Sequence, residues 1–202
     1  MLKHWSRIVA GLALSAATLA SEYDEEILYD ISGTVLDKKG HTFEVLWFYR
    51  LDEESWKGEG TLKIFGKDYL SLDLPFMEVL IQKSVMSVKY PEEDQVLIDY
   101  FNRRDPSNLF AVLLSEFDGF IVEDISSSEE EVELTLLPET PVGFDRLEMT
   151  VDGNSWMPKN IHAVSGEEIE VNVDVLSVGP LEDRDMLKAA RLEASEIIDL
   201  RE

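Results

Sequence analysis

Residues Trp56 to Phe101 read WKGEGTLKIFGKDYLSLDLPFMEVLIQKSVMSVKYPEEDQVLIDYF. Apolar side chains alternate along this stretch: Leu62 and Ile64, then Leu70, Leu72 and Leu74, then Val79 and Ile81, then Val96, Ile98 and Tyr100. Period-two spacing places such residues on one face of a strand. The interruptions are Gly66-Lys67, Pro75-Phe76, Ser84 and Pro91-Glu92-Glu93-Asp94, each short enough to join antiparallel neighbours. The stretch is therefore a meander. One this long coils, and its apolar face must be covered.

The flanks supply the cover. Downstream, Asn102 to Pro106 reads as a loop, and Ser107 caps a helix through Phe117 whose apolar residues, Leu109, Phe110, Val112, Leu113, Leu114 and Phe117, exceed one core-facing stripe. Strands then resume at Phe120 to Asp124, Val132 to Leu137, Phe144 to Val151, Asn160 to Val164 and Ile169 to Val178, with Gly153 and Gly166 suited to positive φ in the turns. Gly179-Pro180 ends the sheet, and Asp183 to Leu200 reads as a helix with Leu187, Ala190, Ala194 and Ile197 on one face. Upstream, Ser21 to Lys39 fits either a helix capped by Gly40 or a hairpin turning at Asp37-Lys38-Lys39-Gly40; acidic residues first and lysines last suit the helix dipole and favour the helix. From His41, Phe43, Val45, Trp47 and Tyr49 alternate with Glu44, Leu46, Phe48 and Arg50, a strand expected to be covered on both faces. The total is about ten strands, mainly β with helices, in a coiled antiparallel sheet left open or half closed.

Composition limits the setting. The 202 residues suit one domain, and a core of that size holds without staples. There is no cysteine, so no disulfide, thiol chemistry or lipobox is available. A formal charge of −24 opposes nucleic acid and anionic lipid head groups as partners. Lys3, His4 and Arg7 precede the apolar run Ile8 to Leu19, which ends in Thr18-Leu19-Ala20, the form of a cleavable secretory signal over residues 1–20. The alternative, an uncleaved anchor, is disfavoured because the run falls short of the roughly 20 residues that span a bilayer.

Catalytic arrangements fail at the inventory. Beyond the signal only His41 and His162 remain, neither with a second ligand-type residue at metal spacing, and there is no G-x-S-x-G. Gly60 to Asp68 differs from a phosphate loop in spacing, lacks the following Ser or Thr, and lies between strands. The acidic runs Asp52-Glu53-Glu54, Glu92-Glu93-Asp94 and Glu129-Glu130-Glu131 fall in turns without calcium-loop spacing, as solvated turns do. No enzyme, cofactor or metal is expected. What remains is apolar surface in excess. Any one such residue is ordinary core, but a single curved sheet with short helices encloses more volume than its own side chains fill, and an aliphatic, aromatic cavity suits acyl chains.

Several segments resemble the periplasmic outer-membrane lipoprotein carriers of the LolA type. They are EEILYDISGTVLDKKGHTFEV, GEGTLKIF, YLSLDLP, the Pro91 turn with QVLIDY, NLFAVLL, and VELTLLPETPVGFDRLEMTVDGNSWMPKNIHAV. The helical extension read over 179–202 replaces that family's usual C-terminal segment. The resemblance implies an unclosed antiparallel β-barrel with a helical lid over residues 21–178 and a shuttle without catalysis, here expected to be a monomer. It would carry lipoproteins by their acyl chains from an inner-membrane ABC transporter to an outer-membrane receptor. The cavity lining expected is Phe43, Val45, Trp47, Leu62, Ile64, Leu70, Leu72, Val79, Ile81, Val96 and Ile98, with Leu109, Phe110, Leu113, Leu114 and Phe117 in the lid. Where that family has an Arg-Pro whose arginine bonds the closed lid, this chain has Phe65-Gly66, and Lys67 is the nearest cation. A second reading keeps the fold but makes the protein a sensor of lipid or lipoprotein that acts through a protein contact; a hydrolase of envelope lipids is a weaker third.

Overall fold

The computed structural model describes residues 26–141 and 143–201; the expected signal segment lies outside them. One helix, α1 (26–35), precedes a twelve-stranded sheet. Its strands are β1 (His41–Leu51), β2 (Glu54–Phe65), β3 (Tyr69–Leu74), β4 (Met77–Gln82), β5 (Val85–Tyr90), β6 (Gln95–Tyr100), β7 (Phe120–Ser127), β8 (Glu131–Pro138), β9 (Arg146–Asp152), β10 (Pro158–Ser165), β11 (Ile169–Pro180) and β12 (Glu196–Asp199). Two short helices, α2 (Leu109–Leu114) and α3 (Arg184–Ala189), complete the fold.

Spatial order is β12-β6-β5-β4-β3-β2-β1-β11-β10-β9-β8-β7. All neighbours are antiparallel except β12, which pairs in parallel with β6. Because β6 lies near one edge and β7 forms the other, the segment 101–119 that joins them must cross the open side of the sheet, and it carries α2. Topology alone makes it a lid.

Register assigns the concave face. Phe43 pairs with Leu62, Leu62 with Leu72, Leu72 with Val79, and Val79 with Val88; on the other side Trp47 pairs with Val173, and Val173 with Ile161. These residues share one side of the pleat. Along β2, Gly58 and Gly60 occupy inward positions opposite Trp47 and Val45. A Cβ at Gly60 would stand 2.1 Å from the Asp73 carbonyl oxygen, and one at Gly58 would stand 2.9 Å from Pro75 Cδ. The missing side chains let the β3–β4 corner fold over the inner face, which is how the sheet curls here.

Ile27, Ile31, Val35 and Leu36 bury against the concave face, so the helix reading of the N-terminal segment holds over 26–35 and the hairpin does not form. Gly40 does not cap α1. Asp37 closes that turn by accepting from the N–H groups of Lys39 and Gly40 at 2.7 and 2.8 Å. Gly40 itself takes φ +79, at a spot where a Cβ would meet the Ile64 carbonyl at 2.9 Å. The convex side of β1 is half-exposed instead of covered by a second layer: Leu46 and Phe48 are intermediate and Glu44 is exposed.

Three elements depart from expectation. The lid helix is capped by Asn108, not Ser107, through bonds from the Phe110 and Ala111 N–H groups at 3.0 and 3.3 Å. It stops at Leu114 because Glu116 and Phe117 both take φ +63, which turns the Phe117 ring inward. The expected Asp183–Leu200 helix is one short helix followed by a strand. Leu181 and Leu187 bury against Leu80 on the convex face, and Gln82 Nε2 donates to the carbonyls of Leu187, Lys188 and Ala190 at 3.0, 3.0 and 3.2 Å. Beyond Ala190 the stripe offers mostly alanine, too little apolar area to hold a helix down, and the β-branched Ile197-Ile198 pair joins the β6 edge. The tail is therefore part of the same sheet. Among the turn glycines Gly166 takes positive φ, whereas at the β9–β10 turn it is Trp156, not Gly153, that does.

Candidate functional site

Two spaces lie between the sheet and its cover. The first is an enclosed void of about 30 Å³, walled by α1 (Ile31, Ser32, Val35), the sheet (Phe43, Trp47, Leu62, Ile64, Met149, Ile161, Val173, Val175, with Pro158) and the lid (Leu113, Phe117). Its walls are apolar. Ser32, the one buried polar side chain among the described residues, bonds the Tyr29 carbonyl at 3.1 Å and presents no free donor inward. A space lined this way stays dry, and at this volume it is room for about one water molecule. In the closed form the interior is filled by side chains.

The second space is an open cleft of about 600 Å³ at the end of the half barrel where β1 meets β2. It lies between Trp47, Tyr49 and Trp56 of the long hairpin, Phe76 and Met77 of the β3–β4 corner, Tyr90 with Glu92 and Glu93 of the β5–β6 turn, and the start of the lid from Asp105 to Phe110. Trp47 and Phe110 stack with centroids 5.8 Å apart and planes 26° apart; Tyr49 and Trp56 stack at 5.6 Å and 19°. Burial first, then the neighbouring Tyr90 and Asp52, push the Tyr49 hydroxyl above the usual phenol range, so it is a neutral group at any ordinary pH. Trp47 borders both spaces, and its stack with Phe110 is the partition between them.

Of the expected lining, Phe43, Trp47, Leu62 and Ile64 face the void. Val45, Leu70, Leu72, Val79 and Ile81 are buried on the same concave face and fill it without bordering free space. Val96 and Ile98 are corrected: β6 pairs with β5 so that Leu97 opposes the concave Val88, which leaves Val96 and Ile98 on the convex side with Leu80. The Pro91 turn shifts the alternation by one residue, a shift that spacing within a strand does not reveal. In the lid, Leu113 and Phe117 face the void, Leu109 and Phe110 the cleft, and Leu114 packs in the core between them. Sequence reasoning missed the cleft as a unit. Its signal was present in W-K-G-E-G, where inward glycines beside inward aromatics leave the aromatics room to stand up from the sheet.

The lid is held at its far end by ion pairs. Lys67 pairs with Glu116 just after α2, and Asp68 pairs with Arg103 just before the lid loop; both pairs reach from the β2–β3 turn. Lys67 thus contacts the lid at the point where the LolA-type arginine was sought. At the cleft end the lid is held by the Trp47–Phe110 stack and by the Phe144 N–H donating to the Pro106 carbonyl at 3.2 Å. His41 bonds the Thr34 carbonyl at 3.0 Å and fastens α1 to β1, whereas His162 lies on the convex face between Glu148 and Glu170 at 3.2 and 3.1 Å. Arg50, then His162, holds the Glu170 carboxyl below its usual range. Among the described residues no group of three or more His, Cys, Asp and Glu is placed to hold a metal.

No family model matches the chain, and neither does any curated protein. Among solved structures it is similar to an uncharacterized conserved protein from Thermus thermophilus, with TM-score 0.57 and 9% identity over 86% of this chain and 97% of that one. It is also similar to a LolA superfamily protein from Nitrosomonas europaea, with TM-score 0.44 and 10% identity over 81% of this chain and 96% of that one. A third likeness is to the Pseudomonas aeruginosa MucA/MucB complex, with TM-score 0.44 and 12% identity over 83% of this chain and 61% of that one. The first establishes a shared fold; the other two are likenesses and no more. The open antiparallel sheet with a crossing lid that the LolA resemblance implied is the fold observed.

Proposed function

We propose that the protein is a periplasmic carrier that binds the acyl chains of lipoproteins between its curved sheet and its lid. In that role it would take cargo from an inner-membrane ABC transporter and release it to an outer-membrane receptor. The observation that carries this reading is the dry apolar interior separated from a large open cleft by one aromatic stack. About 30 Å³ cannot hold a fatty chain, so binding requires the lid to move and the chain to take the place of lid contacts. Each methylene buried yields ~0.8 kcal/mol, so a long chain gains on the order of 10 kcal/mol before the cost of opening. The ion pairs of the far end are partly exposed and contribute only ~0–1 kcal/mol each, and their long side chains can follow a tilting lid without parting. The lid then pivots at Lys67–Glu116 and lifts at Trp47–Phe110, and the cleft is the way in.

Native mass spectrometry of protein purified from the periplasm tests the reading: bound lipid is expected, and its repeated absence counts against it. A sensor acting through protein contact is favoured by one feature, the apolar side chains exposed along the end of β11 and the tail, Leu176, Met186, Ile197 and Leu200. Depletion separates the two. Mislocalised outer-membrane lipoproteins support the carrier, and normal localisation leaves the sensor.

A further inference from the structure

The cleft has a charge pattern that the interior lacks. Glu92 and Glu93 stand exposed on its rim and Asp105 beside them, while no Lys or Arg lines it among the described residues. Asp105 is occupied, accepting from the N–H and hydroxyl of Ser107 at 3.0 and 2.5 Å. The cation nearest in sequence, Lys89, is turned to Glu78 at 3.3 Å. Two carboxylates without a basic partner among the described residues therefore face the same space as Tyr90, the stacked Tyr49–Trp56 pair and Phe76. Aromatic faces attract cations, a carboxylate pair selects them, and the apolar floor at Trp47 and Phe110 accepts hydrocarbon.

We propose that this cleft binds an amphiphilic lipid through an ammonium head group, with the ammonium at Glu92 and Glu93 against the Tyr90 and Trp56 rings and the chain running toward the Trp47–Phe110 partition. The inference rests on the lipid-binding reading above and names the class of ligand admitted first. A lipid is favoured over a basic peptide because the floor of the cleft is apolar, at Trp47, Leu109, Phe110 and Phe144, and offers no free strand edge to a peptide backbone. Anionic amphiphiles are excluded at the rim, in keeping with the formal charge of −24.

The test uses the full chain and three probes of equal chain length below their micelle concentrations: dodecyltrimethylammonium, dodecyl maltoside and dodecyl sulfate. Binding is followed by tryptophan fluorescence and calorimetry. The ammonium probe is expected to bind about tenfold tighter than the maltoside, equivalent to 1.4 kcal/mol, and the sulfate weakest. Glu92→Gln with Glu93→Gln should abolish that preference while leaving maltoside affinity unchanged. Glu129→Gln with Glu130→Gln, which changes net charge equally at the β7–β8 turn, should leave it intact. Equal binding of sulfate and ammonium overturns the proposal. So does a preference lost in the β7–β8 variant as fully as in the rim variant, which would make it a property of bulk charge. Displacement of the ammonium probe by hexalysine at equal affinity would assign the cleft to a basic chain segment and likewise overturn it. None of these outcomes bears on whether protein from the periplasm carries lipid, so the two readings fail separately.

Discussion

The void and the cleft share Trp47 and differ in almost everything else. The void's neighbours are, apart from half-buried Val175, buried residues packed together as cores are. The cleft's neighbours include half-exposed aromatics, Tyr49, Trp56, Phe76 and Phe110, stacked in pairs or set singly around open space, with carboxylates at the rim. A side chain facing the void contributes to stability, and removing it leaves a cavity; one facing the cleft is already wet on one side, so its presence there needs another reason. The comparison separates residues that hold the protein together from residues placed to meet something.

Trp47→Ala should produce the largest effect, because it joins the two spaces and removes a buried ring at the centre of the sheet. A loss of about 3–5 kcal/mol in urea unfolding is expected, together with new fluorescence from an apolar dye that enters the merged cavity. A loss under about 1 kcal/mol would mean that Trp47 belongs with the cleft. Leu113→Asp comes next. Its carboxylate would face the void without a partner, at a cost of about 3 kcal/mol or less once the group stays protonated. Stability should therefore fall further as pH rises past the usual carboxylate range, and lipid retention should drop while the sheet remains folded. Unchanged retention would place that helix face wrongly. Trp56→Ala should give the opposite pattern, costing only about 1 kcal/mol of stability but at least tenfold in affinity for dodecyltrimethylammonium; loss of stability without loss of binding would erase the distinction between the two spaces.

Much of the void was legible in the sequence, and little of the cleft. Phe43, Leu62 and Ile64 follow from alternation within strands, and Leu113 and Phe117 from apolar excess in the lid. Val96 and Ile98 were misassigned because alternation gives two faces without saying which is inward; only the pairing of Leu97 with Val88 decides it. The cleft draws on the β1–β2 hairpin, the β3–β4 corner, the β5–β6 turn and the lid, so no local pattern marks it. The tail shows the limit of helical periodicity: Leu187, Ala190, Ala194 and Ile197 have the spacing, but the bonds from Gln82 and the vacant edge of β6 settle where the chain goes.

The smallest expected effect concerns the end of the lid farthest from the cleft. Lys67 and Glu116 are each more than a third exposed, so their attraction is weakened by solvent and by salt. A double-mutant cycle of Lys67→Ala and Glu116→Ala should give a coupling below about 1 kcal/mol, which shrinks further in molar salt. Ligand dissociation should quicken by no more than a few fold, whereas Phe110→Ala, at the partition, should quicken it by more than tenfold. If the order is reversed, the lid opens from the ionic end and the cleft is not the entrance. The difference between the two ends would then lie in how the lid is locked, with the aromatic wall left as the hinge.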